Sequence, residues 1–138
     1  SLVGLGQLVK AAKVYQEAVD IRRELGQDNP TIESLAGLAR VSLAQEDLVR
    51  AQGQVDEILA HLKTGNLENI TEPLWLHLTC YQVLKASGDL RAQEVLITSH
   101  RLLREQAAKI SDEEMRRSFL ENVAVHREIV TAFESQRD

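Results

Sequence analysis

His77 and Cys80 lie three residues apart, a spacing that puts two side chains on one helical face. Both are ligands that zinc accepts, but a structural zinc site takes four. Cys80 is the one cysteine, and His61, His100 and His126 are distant in sequence. We therefore expect no metal site and no cofactor here, with Cys80 a small packed residue. Ser99-His100, and His126 with Glu128, offer pieces of a nucleophile–base–orienter set. A working set must converge in a cleft, whereas each of these residues falls on an ordinary helical pattern. The phosphate-cradling Gly-x-x-x-x-Gly-Lys-Ser/Thr pattern is missing, and Gly4-Leu5-Gly6 is too short for a dinucleotide loop. No enzyme is expected. Arg101, Arg104 and Arg116-Arg117 form the one basic cluster, with Glu105, Glu113 and Glu114 close by. These read as exposed helix-surface ion pairs worth at most about a few tenths of a kcal/mol each.

Composition narrows the class further. The chain has 138 residues, 43% hydrophobic and 27% charged, a globular composition that argues for one domain, 1–138. Aromatics make up only 4% while Ala and Leu are plentiful, which favours closely packed helices over a β-sandwich. The net charge of −5 comes without a basic stripe, so nucleic acid is not an expected partner. No apolar run approaches the roughly 20 residues of a membrane span, and no signal-peptide pattern opens the chain. A single cysteine suits a reducing cytoplasm. Ser1-Leu2-Val3-Gly4-Leu5 resembles the last turn of a helix, and there is no initiator Met, so a fragment of a longer chain is expected.

One short motif recurs and sets the element order. Gly6-Gln-Leu-Val-Lys-Ala11 returns as Glu46-Asp-Leu-Val-Arg-Ala51 and, shorter by one, as Gly88-Asp-Leu-Arg-Ala92, the alanines 40 and 41 residues apart. A helix–turn–helix unit repeating at such a period is the mark of a helical solenoid. The first helix is expected over about 7–25, its apolar stripe Leu8, Ala11, Val14, Tyr15, Ala18, Ile21 and Leu25. Gly26 suits the left-handed residue that ends it, and Asn29-Pro30 suits the cap and first turn of the next helix. Asp47 is the expected cap of the third helix, carrying Leu48, Ala51, Val55, Ile58 and Leu62. Thr64-Gly65-Asn66 opens a loop, and Thr71 is the expected cap before Pro73 of the fourth helix. The fifth starts at Asp89. Ser111-Asp-Glu-Glu114 reads as a capping box opening a sixth helix with Met115, Phe119, Val123, His126, Val130 and Phe133. That helix is expected to lie across the end of the stack; its heptad-like spacing also fits a coiled-coil dimer, over about three heptads.

This pattern resembles the tetratricopeptide repeat. Gly6, Ala11, Tyr15 and Ala18 match the family's turn, small and large positions in a first unit. Leu35, Leu38, Ala39 and Ala51 do so in the second, and Leu76, Cys80, Gly88, Ala92, Leu96 and Ser99 in the third. Glu46 departs from the family's glycine, and the period exceeds its usual 34. The stretch 112–129 is similar to the terminal helix of repeat arms in large multidomain bacterial signalling proteins. The resemblance implies an all-α helical-hairpin solenoid of about three units with a C-terminal capping helix: 1–26 the end of unit one, 29–63 unit two, 71–110 unit three, 111–136 the cap. It also implies a concave groove lined by Glu33, Ala36, Arg40, Leu43 and Ala44 of unit two, and by Leu74, His77, Tyr81, Leu84 and Lys85 of unit three. Glu33, Arg40, His77, Tyr81 and Lys85 are then the expected partner-binding residues for an acidic or aromatic peptide segment or helix. The asparagines and lysines of chaperone-docking repeats are absent: their places hold Gly37, Arg40, Leu74 and Leu78. The expected role is non-enzymatic protein binding, as a scaffold or regulatory segment. The alternatives are a structural spacer or self-association segment, and a small-ligand sensor arm.

Overall fold

In a computed structural model, residues 2–63 and 73–135 are described, and they form seven helices with no strand among them. These are α1 (Leu2–Glu24), α2 (Asp28–Ala44), α3 (Leu48–Leu62), α4 (Pro73–Ala86), α5 (Arg91–Ala108), α6 (Glu113–Glu121) and α7 (Ala124–Ser135). No described helix is long and apolar enough to cross a membrane.

Three chain reversals use one backbone device. Gly26, Glu46 and Gly88 sit in the left-handed region, at φ of 71°, 62° and 68°. At each, two backbone N–H groups fold back onto the carbonyls that the ending helix leaves open. Gly26 and Gln27 donate to Arg23 and Arg22, Glu46 and Asp47 to Leu43 and Ser42, and Gly88 and Asp89 to Lys85 and Leu84. This is the Schellman closure. It returns the chain within three or four residues, so successive helices pack as antiparallel neighbours. Gly6, the expected turn residue of the first motif copy, lies instead inside α1, so only the second and third copies mark turns.

Packing follows from these reversals. α2 touches α1, α3 and α4; α4 touches α2, α3, α5 and α7. One hydrophobic cluster runs from Val19 on α1 through Leu35, Ala39, Val55, Ile58, Leu76, Leu84, Leu96 and Leu103 to Ile129 on α7. Val14, Ile21 and Leu25, expected in that core, are exposed.

Helix starts depart from expectation: α1 begins at Leu2 and not near 7, and α5 at Arg91 and not Asp89. α2 begins at Asp28 with Gln27 in the cap position, ahead of Asn29. α6 is capped by Asp112, whose carboxylate accepts from the Met115 N–H at 2.9 Å; the box expected at Ser111 is displaced by one residue. The single capping helix expected over 111–136 is broken at Asn122-Val123 into α6 and α7. At the break the Asn122 N–H closes the last turn of α6 on the Ser118 carbonyl at 2.8 Å, and its side chain donates to Ser118 Oγ at 2.9 Å. After the break His126 Nδ1 donates to the Phe119 carbonyl at 2.8 Å, and α7 turns back to pack on α4 and α5. Asp47 caps α3 as expected, accepting from Arg50 N–H at 3.2 Å. The expected loop 64–66 and the Thr71 cap lie outside the described residues.

The α4–α5 turn is pinned to α3 by charge. The Asp89 carboxylate accepts from the Arg91 N–H at 2.9 Å, from the Arg91 guanidinium and from Gln52 Nε2 at 2.9 Å; Arg91 also reaches Asp56 at 2.8 Å. The Arg91 side chain, then its N–H, hold the Asp89 carboxyl down to about 2. A depressed carboxylate stabilises the fold fully above its unfolded value near 3.9, and that contribution is lost as pH falls through the folded value. Asp89→Asn should therefore show a shallower loss of unfolding free energy between about pH 4 and pH 2 than the parent, measured by urea titration at each pH. Glu46 holds a conformation that glycine adopts without steric cost, so Glu46→Gly should stabilise the chain by about 1 kcal/mol in the same assay; a loss of stability would mean the turn is not strained.

Candidate functional site around Arg40

Arg40 is the one charged side chain in the buried stretch from Thr31 to Ser42 other than Glu33, and both are half-buried. Glu33 precedes it by seven residues and so shares its side of α2. Where α2 crosses α4, the Arg40 guanidinium carbon lies 4.9 Å from the centroid of the Trp75 ring, and Arg40 Nε donates to Thr79 Oγ1 at 2.7 Å. Thr79 in turn donates to the Trp75 carbonyl at 2.9 Å. Threonine can satisfy its hydroxyl proton on the preceding helical turn while its lone pairs accept from a neighbour. The result is a cation held over an aromatic face and fixed by a hydroxyl, both supplied by the next helix.

Electrostatics make this cation distinctive. Burial lowers the Arg40 pKa, with Glu128 on α7 and Tyr15 on α1 acting weakly the other way. Among the described residues no carboxylate comes within ion-pair distance of it, while Arg23, Arg91 and Arg101 all have one. Tyr15 also bounds the site, because its ring lies over Gly37 so closely that a Cβ there would meet Tyr15 Cε1 at 2.3 Å. Gly37 is thus required by the close approach of α1 to α2.

The other expected groove residues do not join this cluster. His77 is buried, and it lines a cleft of about 500 Å3 with Asp56, Leu59, Leu62, Arg91 and Val95. At about 100° per residue, that is the side of α4 opposite Trp75 and Thr79. Tyr81 belongs to the core, its hydroxyl buried and without a hydrogen-bond partner among the described residues. Lys85 is exposed and lies over the Tyr81 ring at 5.8 Å, so it masks the tyrosine rather than joining Arg40. The expected register on α4 is therefore shifted by two residues: Trp75 and Thr79 occupy the place assigned to His77 and Tyr81. Trp75 is the chain's one tryptophan. A Trp–Thr pair four residues apart, beside a lone arginine in an apolar helix, was the available signal.

The residues weighed for chemistry are engaged in packing. Cys80 is fully buried, and burial pushes its thiol up to about 12, so the nucleophilic thiolate is disfavoured. Ser99 donates to the Val95 carbonyl at 2.8 Å, and His100 stacks on Phe133 at 3.7 Å between ring centres. His126 is spent on the Phe119 carbonyl. Among the described residues no three His, Cys, Asp or Glu side chains gather as a metal-binding group. Neither family models, curated proteins nor solved structures give a match to this chain.

A buried hydroxyl without a partner costs about 1–3 kcal/mol. Tyr81→Phe is thus expected to leave stability unchanged or raise it by about 1 kcal/mol in urea unfolding. A loss of similar size would show that the hydroxyl is bonded.

Proposed function

We propose that this chain is a non-enzymatic, tetratricopeptide-like interaction segment that captures an acidic peptide or helix on the face carrying Glu33, Arg40, Trp75 and Thr79. The observation that carries the reading is Arg40, a partly desolvated guanidinium, oriented by Trp75 and Thr79, with no carboxylate at ion-pair distance among the described residues. Desolvation has already been spent in folding, and the cation is preorganised, so a carboxylate from a partner gains more there than at a flexible surface lysine. Arg and Trp are also the side chains that most often dominate interface energetics.

The repeat reading is supported by packing order. α2 and α4 touch each other and share α3, α4 and α7 touch each other and share α5, and α7 takes the place that the first helix of a further unit would hold. Helix pairs stacked in this manner present one continuous face built from alternate helices. A cytoplasmic setting goes with this proposal, since Cys80 is the one cysteine of the chain.

Trp75 is a built-in reporter, because it is the sole tryptophan and lies under Arg40. Titration with Glu/Asp-rich peptides should shift Trp75 emission in the parent chain, while Lys-rich counterparts should not. Arg40→Glu, checked by circular dichroism for unchanged helicity, should weaken the acidic peptides by at least about tenfold, the loss of about 1.4 kcal/mol. Equal binding of both peptide classes, or no effect of Arg40→Glu, would overturn the reading.

A further inference from the structure

α1 carries two apolar sides, and only one is used. Val19 is buried, and Ala12 packs against the core formed with α2. Around the helix from these lies a second stripe of Val14, Ile21 and Leu25, which are 63%, 57% and 66% exposed, with half-buried Ala11 and Ala18 completing it. These positions step by three and four, so they form one continuous ridge. Packing order shows the same asymmetry: α3 lies between α2 and α4, and α5 touches α4 and α7, but among the described residues the backbone of α1 lies close to α2 alone.

The charges beside the ridge are sorted along the helix. On its solvent edge the N-terminal half carries Lys10 and Lys13, and the C-terminal half carries Glu17, Asp20 and Glu24, all exposed. In a parallel two-fold pair the charged edges would lie on opposite sides of the seam and make no contact with each other. Turned antiparallel about a two-fold axis near Glu17, Lys10 and Lys13 of one copy fall opposite Glu24 and Asp20 of the other, at both ends of the pair. Small Ala18 at the centre lets the helices approach closely. Glu17 meets its own copy near the axis, the one like-charge contact, in a position where water screens it.

We infer that the ridge of α1 is a self-association surface, and that two copies of this chain pair through antiparallel α1 helices in an isologous dimer. The partner is a second copy because the edge charges are complementary to themselves only in this orientation. The inference does not depend on peptide capture at Arg40. A single helix per copy makes an interface at the small end of the stable range, so the dimer should dissociate on dilution through the micromolar range and with added salt.

Sedimentation velocity over that range tests it. The parent chain should shift from dimer to monomer on dilution. Ile21→Glu, and independently Val14→Glu, should be monomeric throughout with unchanged helicity and the melting temperature of the dissociated parent, since both sites are exposed. Orientation is read by oxidation: a Lys10→Cys chain mixed with a Glu24→Cys chain should give a disulfide-linked pair that neither forms alone. Native Cys80 is buried and does not interfere. A parent that stays monomeric would overturn the inference and leave the ridge to a helix of different sequence. So would a dimer indifferent to both substitutions, and self-linking of the Lys10→Cys chain would overturn the antiparallel arrangement.

Discussion

The enclosure of α4 is the constraint on which the rest of the fold depends. Leu76, Leu78, Thr79, Cys80, Val83 and Leu84 have essentially no contact with solvent, and four other helices pack around them. A helix apolar on nearly every side is stable only when covered on nearly every side. α2 and α3 cover it from one direction, α5 and α7 from the other. Truncating one of its leucines to alanine would remove about 2–5 kcal/mol, against a total stability of about 5–15 kcal/mol for a domain. The same enclosure places Thr79 in the crossing with α2, where its hydroxyl donates to the Trp75 carbonyl and accepts from Arg40. Thr79 is thus satisfied within its own helix and still offers Arg40 an acceptor.

How much of this was legible in the sequence depends on the element. The chain reversals were readable where they carry glycine, because Gly26 and Gly88 have few other uses at a helix end. The reversal at Glu46 was readable only through its kinship with Gly88. α3 was readable in full, since Ala51, Val55 and Ile58 form its one buried line. α1 was not, because its apolar residues make two stripes, and periodicity cannot say which will find a neighbour. The break at Asn122 was hidden as well: the apolar spacing of Phe119, Val123, His126 and Val130 continues across it, while in the folded chain the Phe119 carbonyl is taken up by the His126 ring.

The site shows the same limit more sharply. An amphipathic helix announces which of its sides is polar, and α4 has almost no polar side to announce. His77, Tyr81 and Lys85 are its conspicuous polar residues, and their place in the groove was what the repeat resemblance implied. In the folded chain Tyr81 is in the core and His77 lines the opposite cleft, whereas the accessible partner of Arg40 is the indole of Trp75, half-exposed. Arg40 itself was legible, because a charge inside an otherwise apolar run on α2 must be accommodated by something.

The neighbouring acids Asp56 and Glu57 on α3 reach in opposite directions, Glu57 to Arg23 on α1 and Asp56 to Arg91 at the start of α5. Among the described residues the α3 backbone has no close approach to α1 or α5; on this flank long, exposed side chains also tie the three. The opposite flank is held by van der Waals contact between α2, α4 and α7. Such a body has unequal elasticity. Bending that separates α1, α3 and α5 is opposed by ion pairs that salt screens within about 8 Å at physiological ionic strength, while bending that separates α2, α4 and α7 is opposed by a core that salt does not weaken. Each of these exposed pairs contributes at most about 1 kcal/mol, so added salt loosens this flank slightly and leaves the apolar flank as it was.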